Sequence, residues 1–329
     1  MYVLNRSVTG YRKRLKGKAC EDAVASREYN DHTIMACADG HGDRRCLYAA
    51  RGAELAVQTA IRVLHKYYFK EAGIEAYGKA LNDEREQIAK DIVCEWTGAV
   101  LEDYHNTHPE DVEFSARFNT LYNYSKRIYS VREGEITADE FQRLAARRDR
   151  YEKDIYKKTF LYGTTLNAMV VTDKFVFAIG IGDGDVVAVN GKRVEWLLPR
   201  SGQFDSSTNS LCQNFSYMLE SFMARYVPVT SGRKLTDSRF KPDLVMISTD
   251  GLRNSFLSDE EFADMISDIA AAFKSGSGMT FVRQSRQWID ERSEYGPTQD
   301  DISFTLCTEY LPSAKRQNAA KSKMSKKRP

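Results

Sequence analysis

The residue types most able to do chemistry in this chain lie together in the hexapeptide CADGHG, residues 37–42. The apolar run 33–38 leads into it, which predicts a buried strand ending in a tight turn. The Asp39 carboxylate and the Gly40 carbonyl are oxygen ligands that suit a hard metal ion. His41 beside such an ion is a candidate proton donor or acceptor near neutral pH. By itself the motif is equally typical of an ordinary turn.

Acidic residues recur where other apolar strands end or begin. Asp183 lies between two glycines, Asp250 precedes Gly251, and Asp300 and Asp301 precede the last apolar run. Carboxylates crowded at buried strand ends repel one another unless a cation offsets them. Oxygen ligands without a Cys or His cluster select Mg²⁺, Mn²⁺ or Ca²⁺, and two such ions are usual in phosphoester hydrolysis. The alternative is that Asp-Gly pairs are common turns.

Composition sets the broad class of the protein. The 329 residues are 42% hydrophobic and 29% charged, which predicts a sizeable packed core. No apolar run is long enough to cross a bilayer, and the first residues lack the apolar region of a signal peptide, so we expect a cytoplasmic location. The six cysteines form no CxxC pair, and we expect reduced thiols.

The last residues differ from the rest. Residues 313–329 carry seven bases and no acid, so the net charge of +2 leaves the body of the chain at −5. Large apolar groups are almost absent there, which predicts a disordered basic tail. Its cations serve solubility alone, or they contact nucleic acid, an anionic membrane or an acidic partner.

Periodicity predicts the elements that position these residues. Helical spacing is predicted over 44–67, over most of 70–158, and near 259–274 and 279–292. Strand patterns are predicted at 32–38, 243–249 and 302–308, with an antiparallel meander over 162–198 that includes a hairpin turn at 190–191. We interpret 199–241 as mostly surface loop, with a short strand near 226–229.

The segment before Glu21 and Asp22 is strongly basic. It contains five cations: Arg12, Lys13, Arg14, Lys16 and Lys18. A cationic rim beside a carboxylate pair suits an anionic substrate held near a metal, although a solvated face has the same composition.

Six short motifs together resemble the metal-dependent Ser/Thr protein phosphatases of type 2C, and most of all their bacterial branch. In chain order they are EDA at 21–23, DGHG at 39–42, GTT at 163–165, GDGD at 182–185, STDG at 248–251 and DDIS at 300–303. The resemblance implies an α+β fold: a four-layer α/β/β/α sandwich of two antiparallel sheets flanked by helices. It also implies a phosphatase domain over 1–312, with a helical insertion at about 70–158 that covers the cleft, packs as a satellite or docks a substrate.

The resemblance further implies two Mn²⁺ or Mg²⁺ ions in a cleft at one end of the sandwich. Asp39 would bridge both ions. The Gly40 carbonyl would serve one ion, together with Glu21 and Asp22 acting through water.

The second ion has ligands from later in the chain. Asp250 and Asp300 would hold it, and Asp183 with Asp250 would hold a weaker third ion. His41 matches the general acid that protonates the leaving serine or threonine oxygen.

The activity implied is hydrolysis of phosphoserine and phosphothreonine in proteins by a metal-bridging water, in opposition to a Ser/Thr kinase. No cysteine nucleophile is needed. The alternative is a catalytically weak phosphoprotein-binding or sensing module on the same fold.

Two positions depart from the family pattern. Gly17 stands where many relatives place an arginine that grips the substrate phosphate, so Arg14, Lys16 or Lys18 is predicted to take that role. Asp301 stands where many relatives have asparagine, and it either tightens metal binding or faces solvent.

Overall fold

The computed structural model of the chain describes residues 1–70, 73–130, 137–199, 208–213, 215–230 and 240–310. The strands are β1 (Tyr2–Val8), β2 (Ala23–Glu28), β3 (His32–Ala38), β4 (Leu166–Thr172), β5 (Phe175–Ile181), β6 (Asp185–Asn190), β7 (Arg193–Trp196), β8 (Met223–Pro228), β9 (Leu244–Ser248) and β10 (Ile302–Thr308). The helices are α1 (Tyr11–Arg14), α2 (Ala49–Lys70), α3 (Ile74–Asp83), α4 (Arg85–Thr107), α5 (Val112–Ser130), α6 (Ala138–Ala145), α7 (Arg148–Thr159), α8 (Phe215–Ser221), α9 (Asp250–Arg253), α10 (Asp259–Ser275) and α11 (Gly278–Tyr295). The predicted tail 313–329 lies outside the described residues.

The strands form two five-stranded antiparallel sheets. One has the order β1-β10-β9-β6-β7 and the other the order β2-β3-β4-β5-β8. The sheets pack face to face through an apolar layer that includes Met35 and Met169 from one sheet and Ile247 from the other. Because side chains alternate along a strand, the same strands present a second apolar face outward.

Helices cover both outer faces. α10 and α11 bury Phe262 and Ile289 against Phe304 of the first sheet. α2 buries Leu64 against Ile34 of the second sheet. The predicted α+β class and four-layer sandwich are therefore confirmed.

The predicted helical insertion consists of α3 to α7, joined to β4 by a 3₁₀ turn at Phe160–Tyr162. Trp96 of α4 is fully buried and donates from Nε1 to the Gly52 carbonyl of α2 at 3.1 Å. The Tyr162 hydroxyl donates to Asp103 Oδ2 of α4 at 2.8 Å. The insertion is thus continuous with the core around α2.

Of the helices described, none combines the length and the apolar character that crossing a membrane requires.

The predicted meander over 162–198 is wrong in one connection. β4 pairs with β5, and β6 pairs with β7 through the predicted turn, but β5 and β6 belong to different sheets. β6 instead pairs with β9, with Asp185 opposite Ser248. Gly182 has a φ of +124°, and a Cβ on Gly184 would lie 2.6 Å from the Ser248 carbonyl oxygen. This glycine-rich turn carries the chain from one sheet to the other.

Several other helix and strand boundaries also differ from the prediction. α2 begins at Ala49 rather than near residue 44, because the preceding loop bonds elsewhere: Tyr48 N donates to the Leu161 carbonyl at 2.8 Å. β1 and β2, which were not predicted, are polar on their exposed positions and lack a continuous apolar run. The stretch interpreted as loop contains α8 and β8, which begins at Met223.

Candidate metal centre

Asp39 directly follows β3, a strand whose residues are all buried. Its backbone is held on both sides by the turn before β4. The Asp39 amide donates to Thr165 Oγ1 at 3.0 Å, and its carbonyl accepts from Thr165 N and Thr164 Oγ1, each at 2.9 Å. The motif GTT at 163–165 therefore fixes the position of the Asp39 backbone, from which the carboxylate extends.

The glycine and histidine that follow are held as closely. Gly40 N donates to the Glu21 carbonyl at 3.2 Å, and a Cβ on Gly40 would lie 2.4 Å from that oxygen. His41 N donates to the Gly163 carbonyl at 2.9 Å. A Cβ on Gly163 would lie 2.6 Å from the His41 ring. Gly40 is required because the Glu21 backbone approaches it too closely for a side chain, and Gly163 because the His41 ring does.

Asp250 and Asp300 lie next to the ends of two neighbouring antiparallel strands. Asp250 begins α9 directly after β9, and Asp300 precedes β10, which pairs with β9. Gly251 lets the two turns approach closely, since a Cβ there would overlap the carbonyl oxygen of Asp301, the residue after Asp300. Asp250 Oδ2 accepts from Asn254 Nδ2 at 2.8 Å.

Two further predicted ligands lie at the same end of the sandwich. Asp22 Oδ2 accepts from Thr249 Oγ1 at 2.8 Å, which places it beside the residue that precedes Asp250. Asp183 occupies the turn between the sheets, and its Oδ2 accepts from Thr208 Oγ1 at 2.9 Å.

The carboxylates shift one another's acidity. Burial, together with the charges of Asp22 and Asp250, raises the pKa of Asp39 well above its usual value. Burial and the charge of Asp301 raise the pKa of Asp22 to about 8. Burial and the charge of Asp183 raise the pKa of Asp250 to about 6. These acids, far apart in the sequence, therefore share one electrostatic site that lacks enough positive charge of its own.

The donor set fits a hydrated hard cation. Within the described ranges, no group of three or more His, Cys, Asp or Glu side chains is placed to hold a metal ion as an all-protein cage. Mg²⁺ does not need such a cage, because it keeps several waters and binds through one or two carboxylates. Asp39 and Asp250 lie close enough together for each carboxyl group to shift the pKa of the other. A divalent cation would offset both negative charges.

His41 is partly buried beside this cluster. Burial lowers the pKa of His41, and the carboxylates of Asp183 and Asp43 oppose the change. The imidazole therefore lies within electrostatic reach of Asp183 and Asp43, and its role in proton transfer stays a prediction.

The predicted phosphate-binding cations lie on or near α1. Arg14 Nη1 is 2.7 Å from Asp290 Oδ1 of α11, and its guanidinium lies over the Tyr11 ring. Lys16 and Lys18 are exposed. Lys13, which the sequence did not distinguish from its basic neighbours, is the cation that contacts the acids, at 2.6 Å from Glu21 Oε2.

Of the two alternatives for Asp301, exposure to solvent is wrong. Asp301 is 3% exposed, and both of its carboxylate oxygens accept hydrogen bonds from the segment before β2. Nothing in the local sequence indicated this, since the donors lie almost the whole chain away.

A model of the protein phosphatase 2C family matches residues 9–291. The match spans most of the 329 residues, and the chain belongs to the protein phosphatase 2C family. The predicted resemblance and the predicted enzyme class, a phosphoprotein phosphatase, are confirmed. No curated protein sequence matches the chain.

Solved structures show the same fold at low sequence identity. A bacterial serine phosphatase is 15% identical with a TM-score of 0.53, over 94% of this chain and 97% of its own. Stp1, a serine/threonine phosphatase from Staphylococcus aureus, is 14% identical with a TM-score of 0.53, over 94% of each chain. PppA, a regulatory component of T6SS in Pseudomonas aeruginosa, is 12% identical with a TM-score of 0.51, over 93% of this chain and 96% of its own.

Proposed function

We propose that the protein hydrolyses phosphoserine and phosphothreonine in phosphoproteins with the help of two Mn²⁺ or Mg²⁺ ions. The observation that carries the proposal is the convergence of acids from separate strand ends whose pKa values are raised by burial and by one another. Such an arrangement is unfavourable in a metal-free protein and favourable once divalent cations offset the charge.

The residues divide between the proposed ion sites. Asp39 would hold both ions, and the Gly40 carbonyl, with Glu21 and Asp22 acting through water, would serve the first. Bound divalent cations supply a water of lowered pKa for in-line attack and offset the charge on the phosphoryl oxygens.

The second ion draws on later residues. Asp250 and Asp300 would hold it, and Asp183 with Asp250 would form a weaker third site. The support is the short distance between the turns that carry Asp250 and Asp300, and the effect of Asp183 on the pKa of Asp250.

His41 is proposed as the proton donor to the leaving serine or threonine oxygen. The backbone amide of His41 donates a hydrogen bond to the Gly163 carbonyl, and its ring packs against that glycine. These two contacts fix the side chain beside the acids. A histidine so placed contributes about 10²- to 10⁴-fold to a reaction by general acid catalysis.

Contact with the substrate phosphate is proposed for cations of the segment before β2. Lys16 and Lys18 are exposed and have no ion pair in the part of the chain that the structure describes. Arg14 would first have to leave Asp290. A cytoplasmic location, an opposing Ser/Thr kinase and a phosphatase domain spanning 1–312 remain parts of the proposal.

The test is hydrolysis of p-nitrophenyl phosphate and of a phosphothreonine peptide with Mn²⁺, Mg²⁺ or EDTA. Turnover should require metal and should be lost in Asp39→Ala. The matched control is Asp173→Ala in the β4–β5 turn, an aspartate whose side chain is 73% exposed. Absence of turnover while two ions bind by calorimetry would contradict the proposal and favour a phosphoprotein-sensing module.

A further inference from the structure

The segment between β1 and β2 wraps around one buried carboxylate, that of Asp301. Asp301 Oδ1 accepts from Gly10 N at 2.6 Å, and Oδ2 accepts from Glu21 N at 2.7 Å. The side chain of Asp301 is 2% exposed. Both ends of the segment 10–21 are therefore tied to one side chain at the start of β10.

Lys13 completes this arrangement from inside the segment. Its Nζ is 2.6 Å from Asp301 Oδ2 and 2.6 Å from Glu21 Oε2. Burial lowers the pKa of Lys13, but the hydrogen bonds to Asp301 and Glu21 more than compensate and raise it above the usual value. The ammonium is thus charged and shared by two carboxylates, and charge-assisted bonds of this length are the strong ones.

Three hydrogen-bond donors surround the Asp301 carboxylate: Gly10 N, Glu21 N and Lys13 Nζ. They explain why residue 301 is an aspartate. A carboxylate only accepts hydrogen bonds, whereas the amide of asparagine has one acceptor oxygen and a nitrogen that donates. An asparagine at 301 would turn that nitrogen towards Lys13 Nζ or towards a backbone N–H. Asp301 and Lys13 therefore form a matched pair, in which each requires the other.

The pair touches the metal centre on two sides. Asp301 N donates to Asp300 Oδ1 at 2.8 Å, next to the second proposed ion site. The carbonyl of Glu21, whose side chain Lys13 holds, accepts from Gly40 N next to the first. The charge of Asp301 raises the pKa of Asp22, and the charge of Lys13 lowers it. Lys13 thus offsets the extra negative charge that Asp301 brings to the site.

We propose that Lys13 is a positioning residue of the metal centre, which joins Glu21 to Asp301 and so holds the Glu21 carboxylate where a hydrated ion can use it. The inference rests on the proposed function, in which Glu21 serves the first ion through water. Lys13 acts through Glu21 and has no assigned contact with the substrate.

The experiment measures Mn²⁺ affinity by calorimetry on the full chain for Lys13→Met, Glu21→Gln and the double variant. Residues that orient metal ligands typically change affinity about 10- to 100-fold. We expect a loss in that range for Lys13→Met, and no loss in the double variant beyond that of Glu21→Gln alone, because Lys13 has no carboxylate ligand to position once Glu21 is changed. Lys13→Arg, which keeps a cation, should recover most of the affinity. Lys174→Met, at the opposite end of β4, is the control and should bind as the wild type does.

Two outcomes would overturn the inference: wild-type affinity in Lys13→Met, or losses that multiply in the double variant. Glu21→Gln keeps the backbone donor to Asp301, so its affinity decides the question if Lys13→Met does not fold, and wild-type affinity in Glu21→Gln would equally refute it. A wild-type protein that binds no Mn²⁺ would instead refute the proposed function, and the role of Lys13 with it.

Discussion

Asp250→Asn is expected to stabilise the metal-free protein while weakening its response to Mn²⁺. Burial and neighbouring carboxylates raise the pKa of Asp250 from 3.8 to about 6. A carboxyl group whose pKa is raised by folding destabilises the fold once ionised, so stability is lost as the pH rises from about 4 through about 6. At about 1.4 kcal/mol per pKa unit, the effect is about 3 kcal/mol, and solvent screening of this partly exposed group reduces it to about 1–3 kcal/mol. Asparagine keeps an oxygen that can accept from Asn254.

The assay is urea unfolding in EDTA over a range of pH. The variant should be more stable than the wild type above about pH 7, and the difference should shrink towards pH 4. From the unfolding entropy per residue of globular proteins, 3 kcal/mol corresponds to about 4 °C in Tm for a chain of this size. Addition of Mn²⁺ should stabilise the wild type through binding and the variant much less, which reverses their order.

A variant that is less stable than the wild type in EDTA at high pH would refute the reasoning. That result would mean that the acids do not repel one another in the metal-free fold. Asp173→Asn removes a carboxylate that is 73% exposed and should leave stability unchanged at every pH.

Three further outcomes are expected. His41→Gln should lower kcat about 10²- to 10⁴-fold while Mn²⁺ affinity is kept, as kinetics beside calorimetry would show; equal loss of both would count against a proton-transfer role. Gly40→Ala should abolish Mn²⁺ binding or folding, since its Cβ would lie 2.4 Å from the Glu21 carbonyl oxygen, whereas Gly98→Ala, whose Cβ has its nearest neighbour at 3.4 Å, should be tolerated in a thermal melt. Trp96→Ala should lower the free energy of unfolding, measured in urea, by about 3–5 kcal/mol. A loss below about 1 kcal/mol, as expected for a surface residue, would show that the insertion is not part of the core.

Most of the candidate site was predictable because each part of it is a local pattern. A run of buried residues followed by Asp-Gly marks the end of β3 or β9, and those patterns need no knowledge of distant partners. The helices α10 and α11 were predicted to within three residues for the same reason, since apolar spacing and a following turn define them locally.

Predictions that depended on pairing between distant segments were less successful. The short connection from β5 to β6 predicted a hairpin, but Gly182 and Gly184 allow a backbone path to the other sheet. The edge strands β1 and β2 were not predicted because one side of each is polar. Only their pairing with neighbouring strands in the sheets shows that they are strands.

The sequence by itself determined the family, because six short motifs resemble it, and that resemblance implied the layered α+β class and the acids of the candidate site. Each motif lies at a strand end or a turn and involves only a few neighbouring residues. The tertiary structure alone decided which basic residue meets those acids. Lys13 and Asp301 lie 288 positions apart, and their contact depends on β1 and β10 being neighbours in one sheet. Among a run of similar cations, packing therefore selected the one whose charge is held at the candidate metal centre.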